Sequence, residues 1–403
     1  MVAYQEFVAL TQSPDTEDRG RAAHLAAMAY LGHVGPADEH AALYAALIGF
    51  LDDPSVKVRA ALAYGLLHAA EAPRPILLAL LQDAGVISRA IVQYSPALID
   101  ADLIGLARNG DLTMLVALSE RSRLSPRIAE AMLARGEPGI IRKLVARHDV
   151  AIGAEILATL AETHGEDDAA IRGALLARRD LPPSARLRLT EAVGRALLAT
   201  RIVKGAVAPR RLERLLRNAT DTALSAIGER EAARAEPRYA AEMVESDRVS
   251  TRVMLHAIVN GHVLFFADCV SELSEVAREK VFSILETGGR PALNALFARC
   301  GLPEPVRNLI ARLVFHARAA DLADDVTARH FVVTALTEEL IIEHGGEIPP
   351  ELEEAFAYLC EQNVALARKA ARGVMPAFGG HSLARLPAPE FEEQEPLALP
   401  AVS

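Results

Sequence analysis

Two consecutive stretches of the chain, DADLIGLARNGDLTMLVALSERSRLS at 100–125 and PRIAEAMLARGEPGIIRKLVARHDVA at 126–151, align without a gap. At this offset of 26 residues Leu106 falls on Met132, Gly110 on Gly136, Leu115 on Ile141, Leu118 on Leu144, Arg121 on Arg147 and Leu124 on Val150. The register continues upstream through Val92 and Leu98. Downstream it continues through Leu175, Arg178 and Leu181, once five residues inserted near THGEDD are allowed. A unit of this length holds two short helices and a turn, and such a pair cannot cover its own apolar stripe. Stacking against the next pair does so, which is why units of this size occur in series. Arg121, Arg147 and Arg178 form a recurring charged column among the apolar ones and are read as inter-unit structural residues.

The stretch LDDPSVKVRAALAYGL at 51–66 shows the local logic of one unit. Asp53 is placed to cap a helix whose first position is Pro54, where the missing amide is not needed. Val58, Leu62 and Leu66 then recur at four-residue spacing and make one buried stripe. With DEHAALYAALIGFL before it, the stretch makes an antiparallel helix pair over 38–70. The composition agrees: 51% of residues are hydrophobic but only 4% aromatic, with no tryptophan. Small side chains such as alanine favour helices and let helix axes approach closely.

The expected fold is therefore all-α, an α-solenoid of helix pairs followed by a second helical-repeat region. N-terminal helices occupy 1–36, the repeat array 37–204, a C-terminal all-helical domain 205–378 and an acidic, proline-rich disordered tail 379–403. The array ends in a longer helix at PSARLRLTEAVGRALLAT, and RIVKGAVAP at 201–209 breaks the pattern with a glycine and a proline. Beyond it, glycines 261, 288, 289 and 301 punctuate short helices, and Ser271 or Ser274 before acidic residues reads as a helix boundary. Two longer helices are expected at about 324–344 and 350–375.

The Asp-Pro turn followed by VKVRAALAYGL resembles the HEAT repeat, which implies that Asp53 and Arg59 are ladder residues between neighbouring units. The series SPALIDADLIGLARNGD, RRDLPPSARLRLTEAV and AIVNGHVLFFADCVSELSEVAREKVFSILETGGRPALNALFARCGLP is similar to a bacterial family of HEAT-like proteins of unknown function. That likeness covers most of residues 37–320 and implies the fold without implying an activity.

Chemistry-bearing motifs are sparse. RHDV at 147–150 has the His-Asp pair of metal-dependent phosphohydrolases, but its columns hold Ser122 and Arg123 one unit earlier and Arg179 and Asp180 one unit later, so it reads as a turn. His256 and His262 are too far apart for one helix face and read as packed side chains. Cys269, Cys300 and Cys360 make no metal or disulfide pattern. With no GxSxG elbow and no phosphate loop, the expectation is a non-enzyme with no cofactor and no metal. The formal net charge of −10 disfavours nucleic acid. No apolar run reaches the length of a membrane span, and a cytoplasmic protein is expected.

Arg210, Arg214 and Arg217 share a helical stripe in APRRLERLLRN with Arg211 beside it, a candidate surface for an acidic partner. The glutamates at 390, 392, 393 and 395 are candidates to compete for it. The function expected is a scaffold or adaptor that binds a protein partner in a regulatory role. The alternative is a HEAT-like nucleic-acid-binding or DNA-repair type of protein using a groove lined by Arg142, Lys143 and Arg147. Homodimerisation through the second helical region is a third reading.

Overall fold

The computed structural model describes residues 2–234 and 238–382, with side chains over 7–234 and 238–372. Every regular element among them is helical, and the chain divides into two compact units between Thr200 and Arg201.

The first unit contains α1 (Val2–Thr11), α2 (Thr16–Leu31), α3 (Ala37–Leu51), α4 (Val56–Leu66), α5 (Arg74–Leu80), α6 (Gly85–Tyr94) and α7 (Asp100–Asn109). It continues with α8 (Leu112–Ser119), α9 (Pro126–Leu133), α10 (Pro138–Ala146), α11 (Ala154–His164), α12 (Ala169–Ala177) and α13 (Pro183–Ala199). Several of these have only seven to nine residues, shorter than a helix that is stable alone in water, so their order comes from packing. Their starts are signalled locally. Asp111 accepts from the Met114 amide at 2.8 Å, Asp168 from Ala170 and Ile171, and Pro126 and Pro138 occupy first helical positions.

Helices α2, α4, α6, α8, α10 and α12 contact one another in succession, and from α3 to α11 each odd helix packs on the even helix that follows. One apolar core runs through the unit from Ala22 to Leu189. The N-terminal helix α2 belongs to that core: Ala22, Ala23, Ala26 and Ala27 are buried, and α2 lies closely on α4. At that crossing a Cβ on Gly65 would stand 2.6 Å from the Ala27 Cβ. Small residues here set how near the two backbones come.

One local expectation is corrected. Helix α4 begins at Val56 with Ser55 before it, not at Pro54, and Asp53 accepts from the Ser55 amide at 2.8 Å. The cause is tertiary, because the Asp53 carboxylate is held by Arg19 of α2, 2.8 Å away, and cannot reach the helix amides.

The second unit contains α14 (Arg201–Ala206), α15 (Pro209–Ala233), α16 (Arg238–Glu245), α17 (Thr251–Val259), α18 (Val263–Ser274), α19 (Arg278–Thr287) and α20 (Arg290–Arg299). Then follow α21 (Glu304–Ala319), α22 (Val326–Glu343), a 3-10 turn at Pro350–Leu352 and α23 (Glu353–Ser382). Helix α18 packs on α15, α16, α17, α19 and α20. Its Phe265 covers Gly228 so closely that a Cβ there would be 2.1 Å from the ring, while Phe266 meets Phe297 edge to face at 6.2 Å. Ser271 lies inside α18, and Ser274 is the boundary, since it ends the helix. The break is made by Glu275, in the left-handed region at φ 54°. Helix α23 continues past residue 378 to Ser382, and the rest of the acidic tail lies outside the described residues. Among the described residues no helix is long and apolar enough to cross a membrane.

Candidate functional site

The recurring arginines each reach back to the end of an earlier even helix. Arg121, just after α8, donates to the carbonyls of Val92 and of Ser95, the latter at 2.9 Å. Arg147, after α10, donates to Ser119 O at 2.8 Å and Arg121 O at 2.6 Å. Arg178, after α12, donates to Val145 O at 3.3 Å, Arg147 O at 2.9 Å and Val150 O at 3.0 Å, with Asp180 on its other edge. A helix C-terminus leaves carbonyls without intrahelical partners, and a guanidinium fork offers five donors in one plane. Every rung therefore clamps the orphan carbonyls of the previous even helix. Arg178 is 2% exposed; burial pushes the Arg121 guanidinium below its ordinary pKa.

Near the N-terminus the links are ionic. Arg19 pairs with Asp53, Arg59 with Asp83 at 2.6 Å and Arg74 with Asp102 at 2.5 Å. Arg59 also donates to Asp53 O at 2.7 Å. These partners hold Asp53, Asp83 and Asp102 below the usual carboxylate range.

The tempting chemical fragments are engaged in the same framework. Asp149 accepts from Arg147 at 3.1 and 2.5 Å, and His148 is exposed beside it. Arg142 pairs with Asp168 at 3.4 Å and Lys143 with Glu120 at 2.9 Å, so all three cations of the candidate nucleic-acid groove already have protein partners. Among the described residues no cluster of three or more His, Cys, Asp or Glu is arranged to hold a metal ion.

A row of rings that the repeat alignment does not single out crosses the even helices. His24 of α2 meets Tyr64 of α4 at 5.7 Å between centroids, and His68, in the turn ending α4, meets Tyr94 of α6 at 5.8 Å. Tyr64 and His68 are four residues apart and share a face. Tyr64 is 69% exposed and Tyr94 51%, with Leu25 and Met28 exposed next to His24. The sequence signal was the exposed side of α4, opposite Val58, Leu62 and Leu66.

In the second unit a buried polar network joins α15, α17 and α23. Arg252, 4% exposed, donates to Asp221 at 2.7 Å, Asn218 at 2.5 Å and Glu361 at 3.0 Å, and its guanidinium lies 5.1 Å from the Tyr358 ring centre. Tyr358 Oη and Thr222 Oγ1 each lie 3.2 Å from one nitrogen of His256. Thr222 donates its proton to Asn218 O, so His256 Nε2 carries the ring proton and Nδ1 accepts from Tyr358. Burial lowers the His256 pKa to about 4 and raises that of Asp221. His262 bonds Ser225 at 2.9 Å, and burial lowers its pKa also.

Arg210, Arg211, Arg214 and Arg217 are all exposed on the first half of α15. Arg210, Arg214 and Arg217 continue, at three- and four-residue spacing, the face that buries Asp221 one turn later.

A family model described as an uncharacterised protein conserved in bacteria (DUF2336) matches residues 87–341, more than half of the chain. No curated protein and no solved structure matches it.

Proposed function

The chain belongs to the DUF2336 family of bacterial proteins, and from that premise we propose that it is a non-catalytic helical scaffold that binds a protein partner. On this reading the first unit is a solenoid of HEAT-like helix pairs, supported by the arginine rungs at Arg121, Arg147 and Arg178 and by the succession of even helices. The partner lies along the surface made by those even helices.

The observation that carries the proposal is the ring row His24, Tyr64, His68 and Tyr94. An aromatic-poor chain places two tyrosines, with Leu25 and Met28, in solvent on neighbouring helices. Tyrosine offers a large rigid surface at low entropic cost and is enriched among residues that dominate binding. Arg142, Lys143 and Arg147, by contrast, are occupied by protein groups, which weighs against the nucleic-acid alternative.

The test is affinity capture from the native cells with wild-type protein and with the variant Tyr64→Ala/Tyr94→Ala. The double variant should keep its circular dichroism and melting temperature, because both side chains are exposed. Loss of two hot-spot residues costs about 2 kcal/mol or more each, so a specific partner should be lost, with affinity about 30-fold weaker or worse per residue. Undiminished capture of the same partner by the double variant would refute this surface.

A further inference from the structure

The buried network fixes how α15 and α23 run past each other. Thr222 and Tyr358 meet through His256, and Asn218 and Glu361 meet through Arg252. Moving toward the N-terminus of α15 therefore moves toward the C-terminus of α23, and the helices are antiparallel at this point. Beyond Asn218, α15 carries Arg217, Arg214 and Arg210 on the face that held Asp221. Beyond Glu361, the face of α23 that held Tyr358 and Glu361 continues through Ala365, Arg368, Lys369 and Arg372. Both rows start from one base and extend the same way, for about 12 Å along α15 and about 17 Å along α23 at 1.5 Å per residue.

All six cations are exposed, and none is in a salt bridge among the described residues. Residues 362–382 contain no Asp or Glu, and 201–218 contain only Glu213. The protein as a whole has a net charge of −10, so these cations make a local positive pole on an acidic chain.

We propose that these two rows of cations are a docking surface for the chain's own acidic segment Glu390–Glu395. Its sequence, EFEEQE, supplies Glu390, Glu392, Glu393 and Glu395 around Phe391, and six extended residues cover about 20 Å, enough to run the length of either row. Arginine forks take carboxylates in bidentate fashion, so four glutamates neutralise cations of these rows. Covalent reach is sufficient. Ser382, the end of α23, stands about 15 Å beyond Arg372 along the helix, and the seven residues 383–389 can span up to about 25 Å, enough to return to the level of Arg372. The docking is intramolecular, and any acidic protein that used these cations would have to displace the segment.

Lys369 gives the test a direct readout in the full-length protein. A carbodiimide coupling reagent should join its amine to a carboxylate of Glu390–Glu395, and mass spectrometry of a mixture of light and isotopically heavy chains should place the link within one chain. Raising sodium chloride from 0.05 to 0.5 M should reduce the link by about fivefold or more. Arg214→Glu/Arg368→Glu should do the same with an unchanged melting temperature, and adding Glu392→Arg/Glu393→Arg to that variant should restore binding of the segment, read as recovery of the link through Glu390 or Glu395. Absence of the link, indifference to salt and reversal, or links only between chains would overturn the proposal. So would full-length protein that binds labelled oligonucleotide through Arg214 and Arg368.

Discussion

Replacing Arg178 with alanine tests the clamp reading most severely. The side chain is 2% exposed and serves three carbonyls, of which the contacts to Val145 O and Val150 O are buried. Truncation leaves those buried oxygens without their donor, and each buried unsatisfied acceptor costs about 1–3 kcal/mol. The Asp180 ion pair adds little, since Asp180 is half exposed. A loss of about 3–5 kcal/mol follows, out of the roughly 5–15 that a domain possesses. For a unit of this size that corresponds to a melting temperature lower by about 6–20 °C. Urea denaturation read by circular dichroism should show the midpoint falling with an unchanged slope in the first-unit transition. Arg178→Lys should recover only part of the loss, because an ammonium is a point donor and cannot span three carbonyls. A loss below about 1 kcal/mol for Arg178→Ala, or one no larger than for the exposed neighbour Arg179→Ala, would refute the clamp.

The two buried histidines of the second unit should lower its stability as pH drops from about 6.5 to 4, against the raised carboxyl of Asp221, which acts with the opposite sign. His256 is protonated in the unfolded chain below its ordinary pKa but stays neutral in the fold until about 4, so the unfolded state binds the extra proton over that window; His262 contributes with the same sign. A His256→Gln variant followed by thermal melts across this range should show a shallower slope. Gly65→Ala should destabilise the α2–α4 crossing by about 1–3 kcal/mol, because its Cβ meets Ala27. Gly49→Ala on α3, where nothing lies within 4 Å, should be neutral or stabilising by up to about 1 kcal/mol, and equal melting curves for the two would contradict the packing. Cys269 is buried, and burial raises its thiol pKa far above the ordinary value, so iodoacetamide should label it only after denaturation, as peptide mapping would reveal.

How much of this was readable before the structure depends on what each residue touches. Arg121, Arg147 and Arg178 bond to backbone carbonyls, which every residue possesses, so the arginine must recur while its partners are free to vary. A column of this kind survives alignment. Asp53 shows the opposite case: its local neighbourhood specifies a helix cap, and a partner 34 residues away in Arg19 overrides it. The ring row escaped because Tyr64 and Tyr94 precede the aligned units or lie in their first, where the 26-residue register has no aromatic column. The Arg252 network was illegible for a different reason, since the bond from Arg252 to Glu361 closes over 109 residues and no period connects them. The arginines of α15 were visible as a stripe, but their continuity with the buried face of the same helix needed Asp221 to be located.

The direction of the arginine clamps also has a consequence for biosynthesis. Each clamp lies C-terminal to the carbonyls it serves, by 26 to 33 residues for Arg121, Arg147 and Arg178. At roughly 5–20 residues per second, the end of each even helix emerges from the ribosome about 1–7 seconds before the arginine that completes it. The chain is thus finished one pair at a time from the N-terminus, each pair provisional until its successor is made. Arg186, on the first turn of α13, bonds Leu176 O and Arg178 O only eight to ten residues back, so the final rung closes without waiting for another pair.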